Sequence, residues 1–378
     1  MKVEQQQWTS DGKWKFATDN ILSGDADLVL AFGGRSVLND SDRFSEVKEF
    51  YPEAHILSGS TSGEILDIEV HDDTISLTAV KFDSTTLKIS SVNINDMEGS
   101  LQAGQHLAKD LLTDDLKHIF VLSDGLLVNG SELVRGFNKE LPDSIFVTGG
   151  LAGDAANFEK TLVGIDKTPS EGNIVAIGMY GDSLSIGHAS QGGWDPFGPV
   201  RKVTRSSSNV LFELDGTSAL ELYKTYLGDK ASELPGSGLL FPLAIKEDEN
   251  AEPVVRTLLA IDEDASSMTF AGDIPEGSSV QLMKANFDKL IDASFEGAEV
   301  TLRKLGGEAE LAILVSCVGR KLVLGQRVEE EVEEVRTVLG DNTKITGFYS
   351  YGEISPLTPS VNCELHNQTM TITAFKEN

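Results

Sequence analysis

The sequence predicts an α/β (α+β) fold: repeated β-α-β-α-β modules with antiparallel hairpins forming mixed sheets, arranged as two related halves. Three observations predict it. Continuous apolar runs, LVLAF at residues 28–32, IFVL at 119–122 and LAILV at 311–315, read as strands buried on both faces. Apolar residues recur at helical spacing downstream: Leu133, Val134, Phe137 and Leu141 in one copy, and Val328, Val332, Val335 and Leu339 in another. Finally, residues 69–80 align without a gap over residues 364–375, with Glu, His, two Thr and Ala identical among the twelve positions.

The flanks of that alignment extend it. ILSGSTSGE at 56–64 lies over ITGFYSYGE at 345–353, and FVTGGLAGD at 146–154 lies over both, followed by DSLSIGHA at 182–189. After each of these segments comes a strand of strict alternation, such as Ile75, Leu77 and Ala79. Upstream of the second copy stand a strand at 87–92 and a helix carrying Leu101, Ala108, Leu111 and Leu112. Residues 280–283 and a helix with Phe287, Leu290, Ile291, Phe295 and Leu302 lead into the third in the same way. The turn-rich segment GGWDPFGP at 192–199 marks a boundary, so domains are expected at 24–205 and 206–376. Beyond it a new strand and helix begin near residue 210, with Asp215 or Thr217 as N-cap, and the acidic stretch 246–252 reads as an exposed loop.

Composition narrows the function. With 31 Lys plus Arg against 60 Asp plus Glu, the net charge of −29 argues against phosphate backbones and anionic lipid as partners. The N-terminus lacks an apolar signal run, no stretch reaches the about 18 apolar residues a bilayer span needs, and two cysteines make no disulfide framework. A cytoplasmic location is expected. There is no Gly-Lys-Ser/Thr phosphate loop, no G-x-S-x-G elbow and no His/carboxylate spacing for zinc, so no metal site is expected apart from a haem iron.

Candidate chemistry lies at strand ends. Gly-rich ends such as 59–63 and 149–153 leave backbone N–H groups open and let a ligand approach, or are simply tight turns. In the first reading Glu64 and Glu353 hold a cationic group such as an amine. Arg320, just after a buried strand, is placed to clamp a carboxylate or phosphate bidentately. Cys317 is a nucleophile if His366 lies beside it, or else a small buried hydrophobe. By alignment of the alternating strands His188 points into an apolar face, as a core histidine or as a proximal haem ligand.

The order of several motifs resembles one family. The junction GWDPFGP at 193–199 with Val203, Thr204 and ELDGTSALE at 213–221 is similar to that between the two halves of FIST proteins. SCVGR at 316–320, Gly352 with Glu353, and ELHNQTM at 364–370 resemble motifs of the FIST C-terminal domain, and the likeness runs from about residue 26 to 376. It implies an intracellular sensory module of bacterial and archaeal signal transduction that binds small ligands such as amino acids. No stretch is left for an output domain, so the signal is expected to pass to a separate partner, a histidine kinase or a cyclic-di-GMP enzyme. Stand-alone chains of this kind resemble haem proteins that sense nitric oxide, for which His188 is the candidate ligand of haem b. The reading is therefore a sensor without enzymatic activity. Arg320, Tyr351, Gly352, Glu353, Cys317, His366 and Asn367 line its site. A haem-based sensor and a Cys317/His366 enzyme are the alternatives, and the oligomeric state, a homodimer included, stays open.

Overall fold

Continuous burial of short strands organises the described residues into three sheets of six strands and one of eight, as seen in a computed structural model. The described residues are 1–248, 251–356 and 362–378. Part of the acidic stretch 246–252, residues 249–250, lies outside them.

The three six-stranded sheets share one plan. In the first, Leu28–Gly33 runs parallel to His55–Ser60 and antiparallel to Ile75–Lys81, which pairs in turn with Lys2–Thr9. In the second the same places are taken by Leu116–Ser123, Phe146–Leu151, Asn173–Tyr180 and Thr86–Asn93. In the third they fall to Leu311–Cys317, Lys344–Ser350, Met370–Glu377 and Leu184–Gln191. The middle strands are largely apolar, as suits strands covered on both faces. Ile119 and Val121 pack under the helices Ser100–Leu111 and Gly130–Glu140. Their alternates Phe120 and Leu122 meet Phe32, Leu57, Val315 and Phe348 in a core shared by all three sheets.

The sheets are interlocked. The hairpin Glu64–Leu66 and Glu69–His71 leaves the first module and pairs with Lys344–Ser350 of the third. Val163–Ile165 of the second pairs with His55–Ser60 of the first, and Gly352–Ser355 with Glu364–His366 of the third pairs with Phe146–Leu151 of the second. Each module lends an arm to the next, and the ring closes. Three backbone hydrogen bonds repeat this symmetry: Ser62 N–H to Tyr349 O (2.8 Å), Gly153 N–H to Ser60 O (2.8 Å) and Tyr351 N–H to Leu151 O (3.2 Å).

That ring corrects two alignments. It equates Ser62, Gly153 and Tyr351, so Asp154 matches Gly63 and Gly352 and falls one residue before the places of Glu64 and Glu353. A single-residue slip sends side chains to the opposite face. Gly149 and Gly347 agree with the corrected register: a Cβ on either would sit 1.8 or 2.0 Å from a carbonyl oxygen of the neighbouring strand. Moreover, Leu184–Gln191 opens the third sheet rather than closing the second copy, whose closing strand is the wholly buried Asn173–Tyr180. Residues 280–283 consequently belong elsewhere.

They lie in the eight-stranded sheet, which spans Asp195 to Lys284 and is inserted between the opening strand of the third module and its helix Phe287–Leu305. Its own core gathers Leu211, Leu220, Tyr223, Met268 and Phe270. The helix Ala219–Leu227 is capped by Ser218, whose side chain accepts from Glu221 N–H, and not by Asp215 or Thr217. Asp215 instead accepts from Lys202 N–H at 2.9 Å, and Thr217 Oγ1 donates to Leu214 O at 2.9 Å. Arg256, 3% exposed, fastens the insert to the ring by donating to Leu365 O at 2.9 Å.

Candidate functional site

Buried carboxylates at strand ends recur in two of the modules, with the same partners. Glu353 accepts from Ser350 Oγ at 2.7 Å and from Thr369 N and Oγ1 at 3.2 and 3.0 Å. Glu64 accepts from Thr61 Oγ1 at 2.5 Å and from Thr74 N and Oγ1 at 3.0 and 2.8 Å. Burial raises both acids, Glu64 to about 7 and Glu353 to about 8, against the hydrogen bonds that favour their ionised forms.

Around Glu353 the other expected ligand residues are sealed. Arg320 is fully buried; its Nε and Nη2 donate to Glu331 Oε2 at 2.9 and 2.8 Å, and Nη1 donates to Gly192 O at 2.6 Å. Nη2 also reaches Leu290 O (2.7 Å) and Ser294 Oγ (3.2 Å), so the guanidinium has no fork left for a ligand carboxylate. It is a structural ion pair, not an open clamp. Cys317 is 3% exposed, and burial, aided by the Glu353 charge, pushes its thiol well above the ordinary range. His366 has its Nε2 on Ser355 O at 2.9 Å, and burial lowers it to about 4. Burial thus favours the neutral thiol over the thiolate that a nucleophile needs.

Asn367 is fully buried, donating to His366 O at 3.0 Å. Gly352 pairs with Leu151 in the sheet. Tyr351 stacks on Phe158 with centroids 4.4 Å apart, accepts from Phe158 N–H at 3.1 Å, and is raised by burial to about 12. Six of the expected seven are closed off inside the fold, while Tyr351 lines a cleft shared with the inserted sheet.

His188 is 4% exposed and lies against Phe146, ring centroids 4.9 Å apart, with Lys304 Nζ 3.4 Å from its Nδ1. Burial and the neighbouring ammonium lower it to about 3. A proximal haem ligand needs a free nitrogen facing room for a macrocycle. His188 instead packs between a phenyl ring and a lysine, and it lines neither cleft described below. Haem does not fit here. Among the described residues, no group of three or more His, Cys, Asp and Glu could hold a metal ion.

Open space lies instead over Glu64. A cleft of about 370 Å³ is walled by all three modules: Arg35, Glu64, Asp72 and Asp73 from the first, Asp154 from the second, and Lys321 from the third. Lys321 Nζ donates to Ser62 O at 2.8 Å, pairs with Asp72 and rides over the Tyr349 ring at 5.6 Å. Arg35 Nε pairs with Asp154 Oδ1 at 3.0 Å, and Ser36 Oγ donates to Asp73 Oδ1 at 3.1 Å. Val318 and Leu322 give one apolar wall. Gly63, at φ 139°, lets the backbone pass beneath Lys321, since a Cβ there would lie 2.4 Å from Nζ. Both signs of charge thus meet over a buried acid. The Gly-rich strand end and Glu64 were visible in the sequence. Arg35, Lys321, Asp72, Asp73 and Asp154 were missed, and only the equivalence of the hairpin turns 71–74 and 366–369 hinted at them.

Comparison with known proteins follows the same outline. An uncharacterized protein of Methanocaldococcus jannaschii, MJ1623, is 25% identical over 265 residues, covering 62% of this chain and 49% of that protein, so the chain spans about half of its relative's length. A solved cyanuric acid hydrolase aligns over 100% of this chain and 99% of its own at 9% identity and a TM-score of 0.32. A second, from A. caulinodans, aligns over 78% and 100% at 10% identity and a TM-score of 0.18. These superpositions are too loose for any residue to be carried across. FIST domains are sensory domains of signal transduction. The FIST N domain matches residues 27–217 and the FIST C domain residues 219–356, so the chain belongs to the FIST family.

Proposed function

We propose that this chain is a cytoplasmic sensor of an amino-acid-like ligand bound over Glu64, and that it signals through a separate partner such as a histidine kinase or a cyclic-di-GMP enzyme. The observation that carries the proposal is the mixed charge of a cleft shared by three modules. An ammonium group finds Glu64, Asp72 and Asp73; a carboxylate finds Lys321 and Arg35, whose present acidic partners it replaces. A short aliphatic side chain rests on Val318 and Leu322. Because the ligand touches all three modules, it favours whichever arrangement of the ring closes around it, and this difference in affinity is what a partner reads.

A thermal-shift screen of free amino acids tests the site. One of them is expected to stabilise the protein by about 2.7 kcal/mol at one hundred times its Kd. Lys321→Ala is expected to lose that shift, whereas Phe158→Ser, outside the cleft, keeps it. An equal shift in wild type and Lys321→Ala, or no shift with any amino acid, overturns the reading.

A further inference from the structure

A second cleft, of about 350 Å³, opens between the ring and the inserted sheet. Its walls come from residues 125–130 and Leu151 of the second module, Tyr351 and Leu365 of the third, and Asn209, Leu259 and Phe270 of the insert. None of the fifteen residues that line it is charged, in a chain where 24% of residues are. The cleft over Glu64, by contrast, presents six charged side chains.

Large apolar groups are held open there. Leu127 is 52% exposed, Phe158 42%, Leu259 40% and Leu126 38%. These are not loose surface residues. The fully buried Asp124 accepts from the N–H groups of both Leu126 and Leu127 at 2.8 Å and from Gly172 N–H at 2.9 Å, fixing the loop that presents the two leucines. Phe158 stands at φ 55°, a left-handed conformation costly for a bulky side chain, and is kept there by its N–H bond to the Tyr351 hydroxyl. Its ring lies nearly parallel to that of Tyr351, at 14°, so the pair forms a flat aromatic step at the mouth of the cleft.

We infer that this cleft binds a neutral, compact aromatic molecule, which extends the Tyr351–Phe158 stack and covers Leu126, Leu127 and Leu259. Ligand pockets typically measure ~300–1,000 Å³ and favour domain junctions, so a cleft of this size takes a compact occupant of up to about three rings. Stacking on the exposed face continues the offset geometry aromatic pairs prefer. Lack of any charge in the wall excludes an ionised occupant, whose desolvation nothing would compensate. Phe158 also follows directly on the segment 154–157 that walls the charged cleft, so the two sites share one stretch of backbone.

The neutral fluorescent probe N-phenyl-1-naphthylamine, titrated into the full chain, tests this inference. Saturable, one-site enhancement is expected, weakened at least about tenfold by Leu127→Asp, which buries a charge against the bound ring. Phe158→Ser is expected to weaken it too, and Lys321→Ala to leave it unchanged. Because Leu127 is half exposed, its variant keeps the fold, as an unchanged circular dichroism spectrum and melting temperature would register. Indole should displace the probe and benzoate should not. Absence of saturable uptake, equal uptake by Leu127→Asp, or equal displacement by benzoate each overturns the inference, and none of them bears on the amino-acid screen.

Discussion

Glu64 and Glu353 occupy equivalent strand ends, accept from the same kinds of donor, and end up in opposite circumstances. Glu64 underlies an open, charged cleft, whereas Glu353 is sealed. The difference begins in the hairpin turns. The first carries Asp72 and Asp73, whose charges need water or cations; the third carries Asn367 and Gln368, both fully buried. Gly319 makes that burial possible, because a Cβ there would lie 2.4 Å from Gln368 Nε2, and Trp194 Nε1 locks the turn by donating to Gln368 O at 2.8 Å. The duplicated motif therefore underlies an open cleft in the copy whose turn stays charged. In the other copy the same geometry serves stability.

The neighbouring cations should divide most sharply. Arg320→Ala leaves Glu331 buried and unpaired, an expected loss of about 3–5 kcal/mol in chemical denaturation. Lys321→Ala removes a partly exposed pair worth ~0–1 kcal/mol, yet abolishes ligand stabilisation. Similar stability losses in the two variants would erase the contrast.

The pH profile comes next. Glu64 and Glu353 have folded pKa values raised to about 7 and 8, so the folded state binds more protons than the unfolded one above the ordinary carboxyl range, and stability falls as pH rises. His118, His188 and His366, lowered to about 3, 3 and 4, act in the opposite sense and add stability as pH rises toward 6.5. A maximum near pH 6.5 is expected, with a loss of roughly 1 kcal/mol by pH 8. Glu353→Gln should flatten the alkaline limb more than Glu64→Gln. A profile level from pH 6.5 to 8 would contradict the burial of both acids.

The smallest effect concerns the turns themselves. Asp72→Asn with Asp73→Asn gives the first turn the amide character of the third. Stability should stay within ~0.5 kcal/mol. Affinity for the stabilising amino acid should fall about tenfold, equivalent to about 1.4 kcal/mol. Unchanged affinity would remove the turn from the binding site.

Much of the fold was legible because it is written in burial. The apolar runs at 28–32, 119–122 and 311–315 became the middle strands of three sheets, and the helix Val328–Leu339 followed its spacing. The exchange of arms was not legible, since strand pairing across 280 residues leaves no local pattern: Leu66 finds Thr346 only in the closed ring. Arg320 shows why the site was partly misplaced. An arginine after a buried strand reads as a ligand clamp until a glutamate eleven residues on, Glu331, is seen to occupy it. Lys321, its neighbour, carried no sequence signal because its partners Ser62 and Asp72 lie some 250 residues away.

Hydrogen–deuterium exchange with and without the stabilising amino acid tests the central claim most directly. Binding over Glu64 should slow exchange together at residues 61–64, 72–74 and 154–157 and at the start of the helix Val318–Leu324, in all three modules at once. Protection confined to the turn 366–369, or none in the first module, would contradict it.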